Sequence, residues 1–176
     1  MKKTIFLLLM LVLLLPSQAF AATVSTSYIE KLYFENYKDQ LKEVKVAQNN
    51  LSKVLGEEVM ELTNKSKVST TKYNTAVKNK VSKAALATIK AERDQDKKSL
   101  SKAKSELAAE VKSFKQESNA GLKEIEAYKA QTIKMIKAHL EGKDKLSSNA
   151  FDKAVYGRLT YIETRFNEIL HLLRNA

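Results

Sequence analysis

The chain has 176 residues, 44% of them apolar and 29% charged, with four glycines, one proline, no cysteine and no tryptophan. Without cysteine there can be no thiolate zinc site, thiol nucleophile, iron-sulfur cluster, c-type haem attachment or disulfide framework. So much apolar content with so little glycine and proline excludes collagen-like and low-complexity chains and is enough to bury a core.

Residues 1–22 have the form of a cleaved secretory signal peptide. Lys2 and Lys3 precede an apolar run from Ile5 to Leu15, Pro16 follows, and Ala19-Phe20-Ala21 offers the small-x-small pattern of a cut after Ala21 or Ala22. In a helix that run reaches only about 16 Å, roughly half of the ~30 Å hydrocarbon layer, which argues against a membrane anchor. The remainder, 23–176, reads as one exported helical domain of the periplasm, cell envelope or extracellular space.

Apolar residues then recur with the period of helices throughout. Ile29, Tyr33, Tyr37, Leu41, Val44, Leu51, Leu55, Val59 and Leu62 predict a first helix over about 27–63, with one seven-residue step spanning Ala47 and Gln48. The polar stretch Asn64-Lys65-Ser66-Lys67 is expected to turn the chain, with Ser69 or Thr70 capping a second helix over 69–93 whose thin seam is Tyr73, Val77, Val81, Ala84 and Thr88. A third helix, 97–141, carries alternating steps of four and three from Leu107 through Val111, Phe114, Ser118, Gly121, Ile125, Tyr128, Thr132 and Met135 to His139, the spacing of a coiled-coil seam. Residues 92–98 are polar but hold no glycine or proline, so the second and third helices can also form one continuous spine. Gly142 is placed to end the helix in the left-handed conformation. Asn149 with Asp152 is the expected cap of a last helix, 149–174, whose face is Phe151, Val155, Leu159, Ile162, Phe166, Ile169 and Leu173. The fold class is therefore all-α: an elongated antiparallel bundle of three or four long helices with coiled-coil-like seams. The heptads from Leu100 to His139 are the expected interface of a homo-oligomer, should a second copy be recruited.

Charge is distributed unevenly. Residues 67–118 carry thirteen basic groups against six acids, and no acid lies between Glu61 and Glu92, where Lys65, Lys67, Lys72, Lys78, Lys80, Lys83 and Lys90 fall. Such a block repels itself unless something anionic lies alongside. On one continuous helix Lys72, Lys83, Lys90 and Lys97 would form a stripe with Lys80 to one side, a surface for an anionic envelope polymer, lipid head groups or an acidic protein. Nucleic acid is disfavoured, since the chain is exported and no aromatic residues interleave with those lysines. At the start of the first helix, Tyr28 and Phe34 are candidates for an exposed protein contact.

Catalytic parts are missing. His139 lies on a seam and His171 follows Glu168 at the Glu-x-x-His spacing of di-iron bundles, but no second such pair exists. A haem-binding bundle, the metal alternative, would nominate Met60 and His171; against it, Met60 beside Val59 reads as a gap filler and His171 points towards solvent. No enzyme activity, cofactor or metal is expected. In size, export signal, helix content and positive charge the chain resembles the small basic periplasmic chaperones that grip unfolded outer-membrane proteins between long helical arms. That resemblance implies a holdase as the alternative to a binding or scaffold protein, although nothing here matches the β-strand body of that family.

Overall fold

The computed structural model describes residues 24–176, so the expected signal peptide over 1–22 and its expected cut lie outside the described residues. Those residues are 87% helical without a strand. The fold is an all-α bundle of α1 (Thr26–Tyr33), α2 (Tyr37–Val54), α3 (Glu57–Lys78), α4 (Lys83–Leu140) and α5 (Ser148–Arg174).

The expected helix over 27–63 is broken twice. Ser25 caps α1 by accepting from the Tyr28 N–H at 3.2 Å. The chain then leaves the helix at Phe34, whose ring is buried and meets Tyr37 edge-on at 6.5 Å. The second break falls at Leu55-Gly56, where a β-carbon on Gly56 would lie 2.4 Å from the Ser52 carbonyl oxygen, so only glycine fits.

Two boundaries fall elsewhere than the sequence predicts. Asn64–Lys67 does not turn: it lies inside α3, because its seam positions Ser66 and Ser69 are buried rather than looped out. The turn comes at 79–82 instead, so Ser69 and Thr70 cap nothing, and the cap of α4 is Ser82, which accepts from the Ala85 N–H at 3.3 Å. From there α4 runs unbroken for 58 residues through the polar 92–98 stretch, as the continuous alternative expects there, although the spine begins at Lys83 and the first part of the expected second helix belongs to α3. At its end Gly142 adopts φ 66°, with the Lys143 N–H reaching the Ala138 carbonyl at 2.8 Å, a Schellman closure. Ser147, not Asn149, caps α5 through the Ala150 N–H at 3.4 Å.

Contacts group the chain into two compact units: residues to Lys38 with Ile125–Thr164, and Asp39–Glu124 with Arg165–Ala176. In the first, Ile29, Ile125, Ile136, Phe151, Val155 and Ile162 form the core. Ile136 is fully buried in place of the expected Met135. Lys129 joins α4 to α1, paired with Glu30 at 2.5 Å and set 4.2 Å from the Tyr37 ring centroid.

The second unit holds two kinds of packing. Around the last turns of α5, Phe166, Ile169, Leu170 and Leu173 are buried together with Val44 and Leu51 of α2. Gly121 admits α5 closely, since a β-carbon there would meet Ile169 Cδ1 at 2.8 Å. The seven-residue gap in the first seam is filled by Gln48, whose amide donates to the buried Ser118 hydroxyl at 2.6 Å and to Asn119 Oδ1 at 2.9 Å. Between Glu57 and Glu117, by contrast, α3 and the first part of α4 pair as an antiparallel hairpin whose buried residues are Ser66, Ser69, Ala76, Asp96 and Ala103.

Candidate functional site

The hairpin is a heptad coiled coil, and its register explains its charge. In α3 the core positions are Val59, Ser66 and Tyr73 at a, with Leu62, Ser69 and Ala76 at d; in α4 they are Leu86, Arg93, Leu100 and Leu107 at a, with Ile89, Asp96 and Ala103 at d. The Arg93 guanidinium lies over the Tyr73 ring at 4.0 Å, which makes a charged residue tolerable in the seam. A side-chain hydrogen bond to Asp94 raises its pKa above the ordinary value and lowers that of Asp94. Asp96, 5% exposed, has the Lys65 ammonium at 3.4 Å.

That register gives the hairpin two unlike edges. On the g edge Lys72 pairs with Glu92 at 2.6 Å. On the e edge α4 presents Lys83, Lys90, Lys97 and Lys104, one every seven residues, while α3 presents Thr63, Thr70 and Val77. Lys90 is held by Asp94 one helical turn away at 3.2 Å. Lys83, Lys97 and Lys104, all exposed, make no ion pair among the described residues.

The turn joining the helices carries the same sign. Lys80 takes the left-handed conformation, φ 51°, with its N–H on the Val77 carbonyl at 3.2 Å and the Val81 N–H on the Ala76 carbonyl at 3.3 Å. This is the closure seen at Gly142, made here with a lysine. Lys78, Lys80 and Lys83 are exposed around it, as are Val77 and Val81.

The sequence-derived lysines therefore do not share one helix. Lys72 is in α3, Lys80 in the turn, and Lys83, Lys90 and Lys97 in α4; the turn at 79–82 interrupts the stripe that a continuous helix would make. The structure removes Lys72 to the paired edge and adds Lys104, which the repeat of seven could have revealed once α4 was known to begin at Lys83.

Phe34 does not stand beside Tyr28 as an exposed contact. It is only 7% exposed, with Lys129 Nζ 5.4 Å from its ring centroid, because the end of α1 folds it onto α4; Tyr28 is exposed. Met60 is not a gap filler either: at 62% exposure it lies one residue beyond the seam position of Val59. His171 is exposed, and His139 is stacked on Phe151 at 3.8 Å with Asp144 Oδ1 2.8 Å from Nδ1. An open groove in the second unit runs along Val46, Ala47, Asn50 and Val54 of α2 to Leu173. Among the described residues no three of His, Asp and Glu gather as a metal site, and no helix is long and apolar enough to cross a membrane. The chain matches no protein-family model, no curated protein and no solved structure.

Proposed function

We propose that the chain is an exported, non-enzymatic helical binding protein that contacts an anionic partner of the cell envelope or extracellular space through the α3–α4 hairpin. The observation that carries this reading is the e edge: Lys83, Lys90, Lys97 and Lys104 at one heptad position, facing no acid of α3 across the edge. Their spacing spreads positive charge over about 31 Å of helix. Neighbours about 10 Å apart sit near one Debye length at physiological salt, so each acts as a local contact and the four together follow an extended anion. Lysine supplies point charges without the planar fork of arginine, which suits a delocalised and salt-sensitive interaction.

The test compares K83E/K97E/K104E with a control, K42E/K45E/K53E, made in the exposed lysines of α2. Binding to anionic vesicles and to soluble polyphosphate is measured at rising salt. The wild type is expected to bind at low salt and to weaken at least about tenfold as salt rises a few-fold, in line with several screened contacts; the hairpin variant loses binding at all salts and the control retains most of it. Equal binding by both variants would reduce the lysines to a solvated face.

A further inference from the structure

The lysine edge accounts for attraction to an anion but not for the exposed valines at its end. Val77 is 46% exposed and Val81 36% exposed, on either side of a turn where polar residues would cost nothing. In a Schellman closure the residue after the left-handed position packs on the residue whose carbonyl accepts its N–H, three positions before the cap. Here that acceptor is Ala76, itself buried in the seam and too small to cover Val81. The turn thus leaves two branched apolar side chains in water, ringed by the exposed Lys78, Lys80 and Lys83.

We infer that this turn enters the surface of an anionic lipid bilayer, with Val77 and Val81 in the interface and Lys78, Lys80 and Lys83 among the head groups. The inference rests on the anionic-partner reading and narrows it to one source of charge. A soluble polyanion gains nothing from Val77 or Val81, whereas a bilayer rewards the burial of apolar surface beside its charged layer. Charge complementarity holds over the whole turn region, since no acid lies between Glu61 and Glu92 and none stands in the first turn of α4. Lysine side chains accommodate this depth because their stems lie along apolar surface while the ammonium stays with phosphate and water. No described helix is long and apolar enough to cross a membrane, and the inferred contact is a shallow one at the interface.

The natural chain has no tryptophan, so V81W gives a single reporter in the full protein. On phosphatidylcholine vesicles containing about one phosphatidylglycerol in three, its emission is expected to shift to the blue and to be quenched by brominated acyl chains; on phosphatidylcholine alone it stays as in water. V46W, at an exposed position on α2, serves as the control and should show neither change. In parallel, V77S/V81S should bind the anionic vesicles at least about tenfold more weakly than the wild type while keeping its affinity for polyphosphate, its helix content checked by circular dichroism.

Vesicle binding by V81W without shift or quenching, or undiminished vesicle binding by V77S/V81S, overturns the bilayer assignment and leaves the anionic-partner reading standing. Loss of polyphosphate binding by V77S/V81S also overturns it, because the valines would then serve the shape of the turn. A wild type that binds neither vesicles nor polyphosphate at low salt removes both readings.

Discussion

The packing around the end of α5 and the α3–α4 hairpin are built on the same helical repeat with opposite contents. One buries Phe166, Ile169, Leu170 and Leu173 against Val44 and Leu51; the other buries two serines, two alanines and an aspartate. Periodicity sets where a seam runs, but the side chains on it decide how strongly it holds. Serine and alanine bring helices together without removing much apolar surface from water, so the hairpin depends more on edge pairs such as Lys72–Glu92 and on its turn.

The contrast predicts very different costs for deleting core atoms. F166A empties a fully buried aromatic position and should cost about 3–5 kcal/mol in urea or thermal unfolding. S69A removes a hydroxyl whose bond is to the Ser66 carbonyl of its own helix at 3.2 Å, and alanine is the better helix former, so stability should change by less than about 1 kcal/mol. Comparable losses from the two would show that the hairpin seam holds as firmly as the aliphatic one.

The same contrast explains which parts of the fold could be read from the sequence. Most of the face of α5 was legible, because Phe151, Val155, Ile162, Phe166, Ile169 and Leu173 are apolar and buried; Leu159 is only half-buried, and Leu170, outside the expected face, is buried. The left-handed Gly142 was legible because glycine is what that conformation favours. The hairpin was not, because serines at Ser66 and Ser69 look like loop residues, Arg93 and Asp96 look unfit for a seam, and the turn uses a lysine where glycine would have marked it. That misplacement carried into the candidate site: lysines assigned to one continuous helix belong to two antiparallel helices and the turn between them. The excess of positive charge was visible in composition, whereas its division into an edge paired across the two helices and an edge with no acid of α3 across it needed the register.

The two Schellman closures offer a smaller and sharper test. Gly142 adopts its left-handed φ freely, while Lys80 adopts φ 51° against the steric preference of an L residue. Relief of about 1–2 kcal/mol of backbone strain in K80G, less the greater freedom glycine has when unfolded, should leave a net gain of up to about 1 kcal/mol. Hydrogen exchange at the Lys80 and Val81 amides should slow accordingly. A loss of stability would mean that the lysine side chain contributes contacts worth more than the strain.

The smallest effect concerns how the loop after α4 is fastened, and it depends on pH. Asp144 Oδ1 lies 2.8 Å from His139 Nδ1 and accepts the Leu146 N–H at 3.1 Å, with His139 itself stacked on Phe151. The hydrogen bond with His139 comes first in holding the Asp144 carboxyl below its ordinary value of 3.8, opposed by desolvation and helped by the Leu146 amide. Because the folded pKa is depressed, the stabilisation is fully present above that ordinary value and is lost as pH falls through the lower, folded one. A carboxyl titration followed by NMR should therefore place the Asp144 midpoint below 3.8, and the Leu146 amide should exchange faster relative to its intrinsic rate only beneath that midpoint. In D144N the amide oxygen can still accept both bonds, so the loop should stay closed at neutral pH and lose its acid response. An Asp144 midpoint at or above 3.8 would show that Gly142 and the Lys143–Ala138 backbone bond fasten this turn without the side chains, as the hairpin turn at Lys80 does.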